Sequence, residues 1–171
     1  MAIVVAQPPL LANTELKSTN ILGPTFFDLC DLRLEASTAQ PADPMFIAPA
    51  NSPYIVAANE IFSVSVDVTF NDTPLTRLLL CLGMKVEVHF AFEGIGGQAG
   101  ETDVDSYIVT QKNQFKYTIT WKGTGDALGL GKGLYAVAAI ASVSAYDHPC
   151  SQDVLGYGYI AARLLQIHPA A

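Results

Sequence analysis

Apolar and polar residues alternate in three stretches of this chain. Phe62, Val64, Val66, Val68 and Phe70 alternate with Ser63, Ser65, Asp67 and Thr69. Met84, Val86, Val88, Phe90 and Phe92 alternate with Lys85, Glu87, His89 and Ala91. Phe115, Tyr117, Ile119 and Trp121 do so with Gln114, Lys116, Thr118 and Thr120. Successive side chains of an extended strand point to opposite faces, so this period of two predicts half-buried strands. Their inward residues include Phe62, Val64, Val66, Val68, Phe90 and Ile119. Between the first two strands lie Asn71-Asp72-Thr73-Pro74, then LTRLLLCL, then Gly83. Asp72 or Thr73 can accept from the free amides of a helix start, and Pro74 is preset for a first turn. Gly83 supplies the left-handed stop. The pattern predicts one short crossover helix that buries leucines such as Leu75, Leu78, Leu79 and Leu82.

Further strands are predicted over 106–110, over Gly133–Ser144 (GLYAVAAIASVS, apolar on both faces) and over Gly158–His168. The stretches 94–100 and 122–133 are Gly-rich connections. Seven of the ten prolines fall within residues 1–53. Proline removes a ladder donor, so this region is not a run of central strands. It contains one longer pattern, Thr25 to Ala36, which favours a strand through the alternation of Leu32, Leu34 and Ala36 with Arg33 and Glu35. The domain reading is therefore a Pro-rich N-terminal arm over 1–53, with a possible strand at 25–36, and a β-sandwich over 54–171. Short strands, regular turn signals and one helix predict an all-β fold. The expected architecture is an antiparallel β-sandwich, immunoglobulin-like or of similar Greek-key type. Tyr135 after a glycine turn fits the corner tyrosine of such sandwiches. The inter-sheet disulfide of true immunoglobulin domains has no counterpart, because Cys81 closes a helix, Cys150 lies in a loop and Trp121 is on a different strand.

Composition narrows the function classes. The chain has 171 residues, 50% of them hydrophobic and 15% charged, with a net charge of −7. That size suits one domain with a substantial core. An acidic balance argues against nucleic acid and against an anionic membrane surface as partners. No basic residue precedes Lys17 and the first apolar run ends at Ala6, so no export signal is readable; no stretch reaches the roughly 18 apolar residues of a span, so no membrane insertion is expected. A cytoplasmic location follows from the missing signal, with non-classical export left open. Cys30, Cys81 and Cys150 are odd in number and widely spaced, which predicts reduced, mostly buried thiols.

Candidate chemistry is sparse. Gly94-Ile95-Gly96-Gly97-Gln98-Ala99 matches the dinucleotide fingerprint formally. The sequence after it, GETDVDSY, has no helical period and carries three carboxylates that would repel phosphate, so a hairpin loop is the better reading. Gly131-Lys132 lacks the flanking residues of a phosphate loop. Glu101, Asp103 and Asp105 form an acidic patch of hard oxygen ligands, a candidate calcium or other cation site set against a solvated acidic loop. Asp147-His148-Pro149-Cys150 holds three metal-ligand types but no second pair to complete a zinc site. His89, beside Glu87, sits on a polar strand face and reads as an exposed cross-strand partner. Tyr146, Tyr157 and Tyr159 are candidate ligand-binding aromatics, because tyrosines on one face can stack on a sugar or peptide. No nucleophile elbow or metalloprotease motif occurs.

These observations lead to an expectation of a non-enzymatic structural or assembly subunit without a cofactor. It would self-associate through the sandwich and the arm, as a homo-oligomer or with an assembly partner. The alternative is a ligand-binding module for a glycan or a cation.

Overall fold

The computed structural model of the chain describes residues 23–36, 54–96, 100–149 and 154–169. The described residues form an all-β sandwich of two sheets with two short helices. One sheet has the order β1 (Phe27–Ala36), β3 (Ile61–Phe70), β6 (Lys116–Thr124). The other has the order β2 (Ile55–Ala57), β8 (Val154–His168), β7 (Gly133–Ala145), β4 (Met84–Ile95), β5 (Glu101–Val109). Neighbours are antiparallel except β2 and β8, which run parallel over three residue pairs, a departure from the wholly antiparallel expectation.

The period-two strands meet face to face as their alternation requires. Phe62, Val64, Val66, Val68, Phe90 and Ile119 are all buried. Phe62 anchors an aromatic cluster, with ring centroids 6.1 Å from Phe92 and 5.5 Å from Trp121, both edge-on. Tyr135, fully buried at the start of β7, donates its hydroxyl to the Gly131 carbonyl four residues back, at 2.8 Å. This is the corner geometry in which a tyrosine pins the turn entering a strand.

The strand expected at 25–36 is β1, and it pairs antiparallel along β3. Its Leu32 and Leu34 lie in the core, so this segment of the expected arm is part of the sandwich. The rest of the arm, residues 1–22 and 37–53, lies outside the described residues. β1 carries a bulge between Cys30 and Arg33, and β8 carries one beside Arg163. There Arg163 Nε donates to the Leu32 carbonyl at 2.7 Å, tying the two sheets together at the irregularity.

The helix α1 (Pro74–Leu82) starts and stops as the sequence specifies. Thr73 Oγ1 accepts from the Thr76 amide, and Gly83 (φ 84°) donates its amide to the Leu80 carbonyl. Its buried face differs from the expectation. Thr76 and Leu80 are buried, Leu75 and Leu79 are half-buried, and Leu78 and Leu82 are exposed. Leucines occur on most sides of this short helix, so composition alone does not fix its rotation. A second helical turn, α2 (Gly125–Leu128), capped by Thr124, adds to the single helix foreseen.

Two strands are longer than expected. β5 begins at Glu101, which places the acidic residues on a strand and not in a loop. β8 begins at Val154, which places Tyr157 within it. Cys81 is exposed on α1 and Cys30 is half-buried, both free thiols, against the expectation of mostly buried ones; Cys150 lies outside the described residues. No helix among the described residues is long and apolar enough to cross a membrane.

Candidate functional site

Because inward residues of the five-stranded sheet take the even positions of β4 and β5, odd positions face outward, and strand register aligns them in rows. One row runs Asp105, His89, Ile140, Tyr159 across β5, β4, β7 and β8. The next runs Tyr107, Glu87, Ser142, Tyr157. On the other side, Asp103, Ala91, Ala138 and Ala161 form a row of small residues beside one carboxylate. Glu101, Glu93, Ala136 and Leu164 follow. The outer face is thus divided. Its β5–β4 half is charged and its β7–β8 half is apolar and aromatic.

This brings Glu101, Asp103 and Asp105 onto one face with Tyr157 and Tyr159, whereas Tyr146 lies beyond the end of β7. Strands lie about 4.8 Å apart, so Asp105 and Tyr159, three strands apart, are separated by roughly 14 Å. Glu101, Asp103 and Asp105 all point outward from β5, at steps of about 7 Å along the strand. Ligands of one calcium ion each lie about 2.3–2.6 Å from it, a closer grouping than these steps provide. No group of three or more acidic, histidine or cysteine side chains among the described residues is arranged to hold a metal ion. Asp105 is engaged instead by His89, whose Nδ1 lies 2.5 Å from its Oδ1. Lys85 Nζ donates to Glu87 Oε1 at 2.7 Å and sits 5.0 Å above the Tyr107 ring. Asp105 and Glu87 are thus each held in an ion pair.

The apolar half presents an open surface. Tyr157 and Tyr159 are exposed on β8, on the same face, as their period-two spacing predicts. Leu155, Leu164 and Ile140 are exposed with them. Tyr146 is exposed too, in the turn that follows β7, at the end of the sheet and outside the row of the other two tyrosines. The inward side of β8 at this point is glycine. A Cβ on Gly158 would meet the Phe27 ring at 3.1 Å, so β1 packs directly onto the strand backbone. Near the same end, an apolar cavity of about 610 Å³ opens between Phe26, Phe70, Leu79, Met84, Leu155 and Tyr157.

Sequence reading named the tyrosines but missed Ile140, Leu155 and Leu164. The available signal was the two-sided apolar character of β7, which leaves its outward residues without polar cover. The dinucleotide-like segment starts at the end of β4, its residues 97–99 lie outside the described residues, and the element that follows is β5, not a helix. His89 is a cross-strand partner of Asp105, as its place on the polar face suggested.

No family model matches the chain, and no curated protein matches it. Among solved structures it is similar to a beta-D-glucoside glucohydrolase from Trichoderma reesei, at 14% identity and a TM-score of 0.34. The match covers 84% of this chain and 19% of that enzyme. Nothing about catalysis follows from a likeness of that size.

Proposed function

We propose that this protein is a non-enzymatic structural or assembly subunit that self-associates through its sandwich, with the undescribed Pro-rich segments of residues 1–53 as a second contact. The supporting observation is the outer half-face of β7 and β8, where Ile140, Tyr157, Tyr159 and Leu164 leave apolar side chains open to solvent. Exposed apolar area of this kind marks interaction surfaces on soluble domains. The strand order supports an immunoglobulin-like classification: β1-β3-β6 corresponds to A-B-E, and β8-β7-β4-β5 to G-F-C-C′, with the corner tyrosine at the start of F. A reducing, cytoplasmic setting fits the free thiols of Cys30 and Cys81. Sedimentation velocity over a hundredfold concentration range tests the proposal. It expects a mass above one chain, and a strict monomer throughout removes it.

The second reading, a glycan- or cation-binding module, has its own support in Tyr157 and Tyr159, which project from one face of the sheet with acidic groups two or more strands away. Screening against a glycan array with and without calcium decides this reading; absence of binding in both conditions eliminates it.

A further inference from the structure

The sandwich has several exposed strand edges, and they are not equally protected. An unpaired edge is a template for another strand, and proteins guard such edges with charge, bulges or shortness. β1 carries Asp28, Asp31, Arg33 and Glu35 together with a bulge. β5 carries Glu101, Asp103 and Asp105; β6 carries Lys116 and Lys122; and Ser106 of β5 donates to the Thr120 carbonyl of β6 at 3.0 Å, drawing those two edges together. β2 has three residues. β8 differs. β2 covers it only over Gln166–His168, and among the described residues no strand pairs with the rest of that edge. From Val154 to Ala162 it contains neither a charged residue nor a proline.

We infer that the edge of β8 left open among the described residues pairs antiparallel with β8 of a second copy, joining two five-stranded sheets into one. This rests on the self-association reading above and names its interface. Both register irregularities of β8 lie outside the segment 156–161, which leaves a regular stretch between them. Centring the two-fold axis on Gly158 sets Tyr157 of each copy opposite Tyr159 of the other, on the outer face. A two-fold contact of this kind uses the same patch on both chains and closes at two. Aromatic pairs directly across an antiparallel ladder are favourable. Tyr157 and Tyr159 are 81% and 66% exposed in the single chain, so the pairing has area to bury. At the seam itself, these two side chains and the backbone edge of β8 are what the pairing covers.

The test is sedimentation equilibrium of the full chain and of two double variants, with circular dichroism and thermal unfolding run on each. Both tyrosines are exposed, so neither variant disturbs the core. The wild type is expected to be a dimer. Tyr157→Lys with Tyr159→Lys places like charges opposite each other and should yield a folded monomer at concentrations where the wild type is dimeric. Tyr157→Lys with Tyr159→Glu places opposite charges across the two-fold and should restore the dimer; failure to restore it overturns the proposed register. A wild-type monomer overturns both this interface and the self-association reading. An assembly that survives Tyr157→Lys with Tyr159→Lys, or that is lost on removing residues 1–22 but not in that variant, overturns the β8 pairing while leaving self-association intact.

Discussion

Removing residues 1–53 deletes β1 and strips one edge from the three-stranded sheet. The loss can be sized from burial. Leu32 and Leu34 are almost fully buried, and Phe27, Leu29 and Ala36 are partly buried against the core. At about 1.5–3 kcal/mol for each fully buried aliphatic side chain and roughly half that for the others, β1 contributes on the order of 5–10 kcal/mol, an upper estimate. Domain stability as a whole is about 5–15 kcal/mol. The deletion also exposes the ladder of β3 and removes the Leu32 carbonyl that accepts from Arg163. A chain beginning at Tyr54 should therefore lose its cooperative transition. A chain beginning at Gly23 keeps Pro24, whose carbonyl accepts from Asn71 and Thr73, and should unfold cooperatively in urea. Far-UV circular dichroism with urea titration of both truncations checks this. If the shorter chain unfolds cooperatively within about 2 kcal/mol of the longer one, the energetic weight assigned to β1 is wrong.

Three further outcomes are expected. Val66→Asp puts an unpaired carboxylate at a fully buried position and should abolish soluble expression, since its burial costs several kcal/mol; soluble, cooperatively unfolding variant would contradict the placement of Val66 in the core. Tyr135→Phe removes the corner hydrogen bond and should cost about 0.5–1.5 kcal/mol in urea unfolding with an unchanged spectrum; no loss would mean the corner is dispensable. Arg33, bidentate to Asp67 at 2.8 and 3.1 Å, holds that carboxyl below its ordinary value, with Thr118 donating as well. A folded value below the unfolded one gives stability that is complete above about pH 4 and lost as pH falls through the depressed value. Both partners are about one-third exposed, so the pair is worth about 0.5–1 kcal/mol. Asp67→Asn should thus be less stable than wild type at pH 6, and the gap should shrink toward pH 2; a gap independent of pH would refute the assignment.

The strands with strong inward residues were legible in the sequence, because Phe62–Phe70 and Met84–Phe92 carry large apolar groups at every second position. The caps of α1 were legible too, since Thr73, Pro74 and Gly83 each act through local backbone chemistry. The first half of β5 is hidden in the sequence because its inward positions include Thr102 and Ser106, too polar to announce a core face at a sheet edge. The start of β8 was hidden for a different reason. Its inward positions are Gly156 and Gly158, where the Phe27 ring of another sheet supplies the packing. The rotation of α1 depends on what it packs against, so Leu78 and Leu82 are exposed where Thr76 is buried. The candidate face had no motif to find: Asp105, His89, Ile140 and Tyr159 become neighbours only through the register of four strands.

The parallel pairing of β2 with β8 also bears on synthesis. Val56 of β2 is fully buried, yet its ladder partner is Ile167, 111 positions later in the chain. During translation β1 and β3 can join as soon as both have emerged, whereas β2 must wait until the last turn of β8 leaves the ribosome. At rates of about 5–20 residues per second, that delay is on the order of 5–20 seconds. Throughout it the growing five-stranded sheet exposes the edge of β7 and then, briefly, all of β8. The cellular hazard for this protein therefore falls on nascent chains from neighbouring ribosomes of one message, whose uncharged strands could engage each other before their own sheets close.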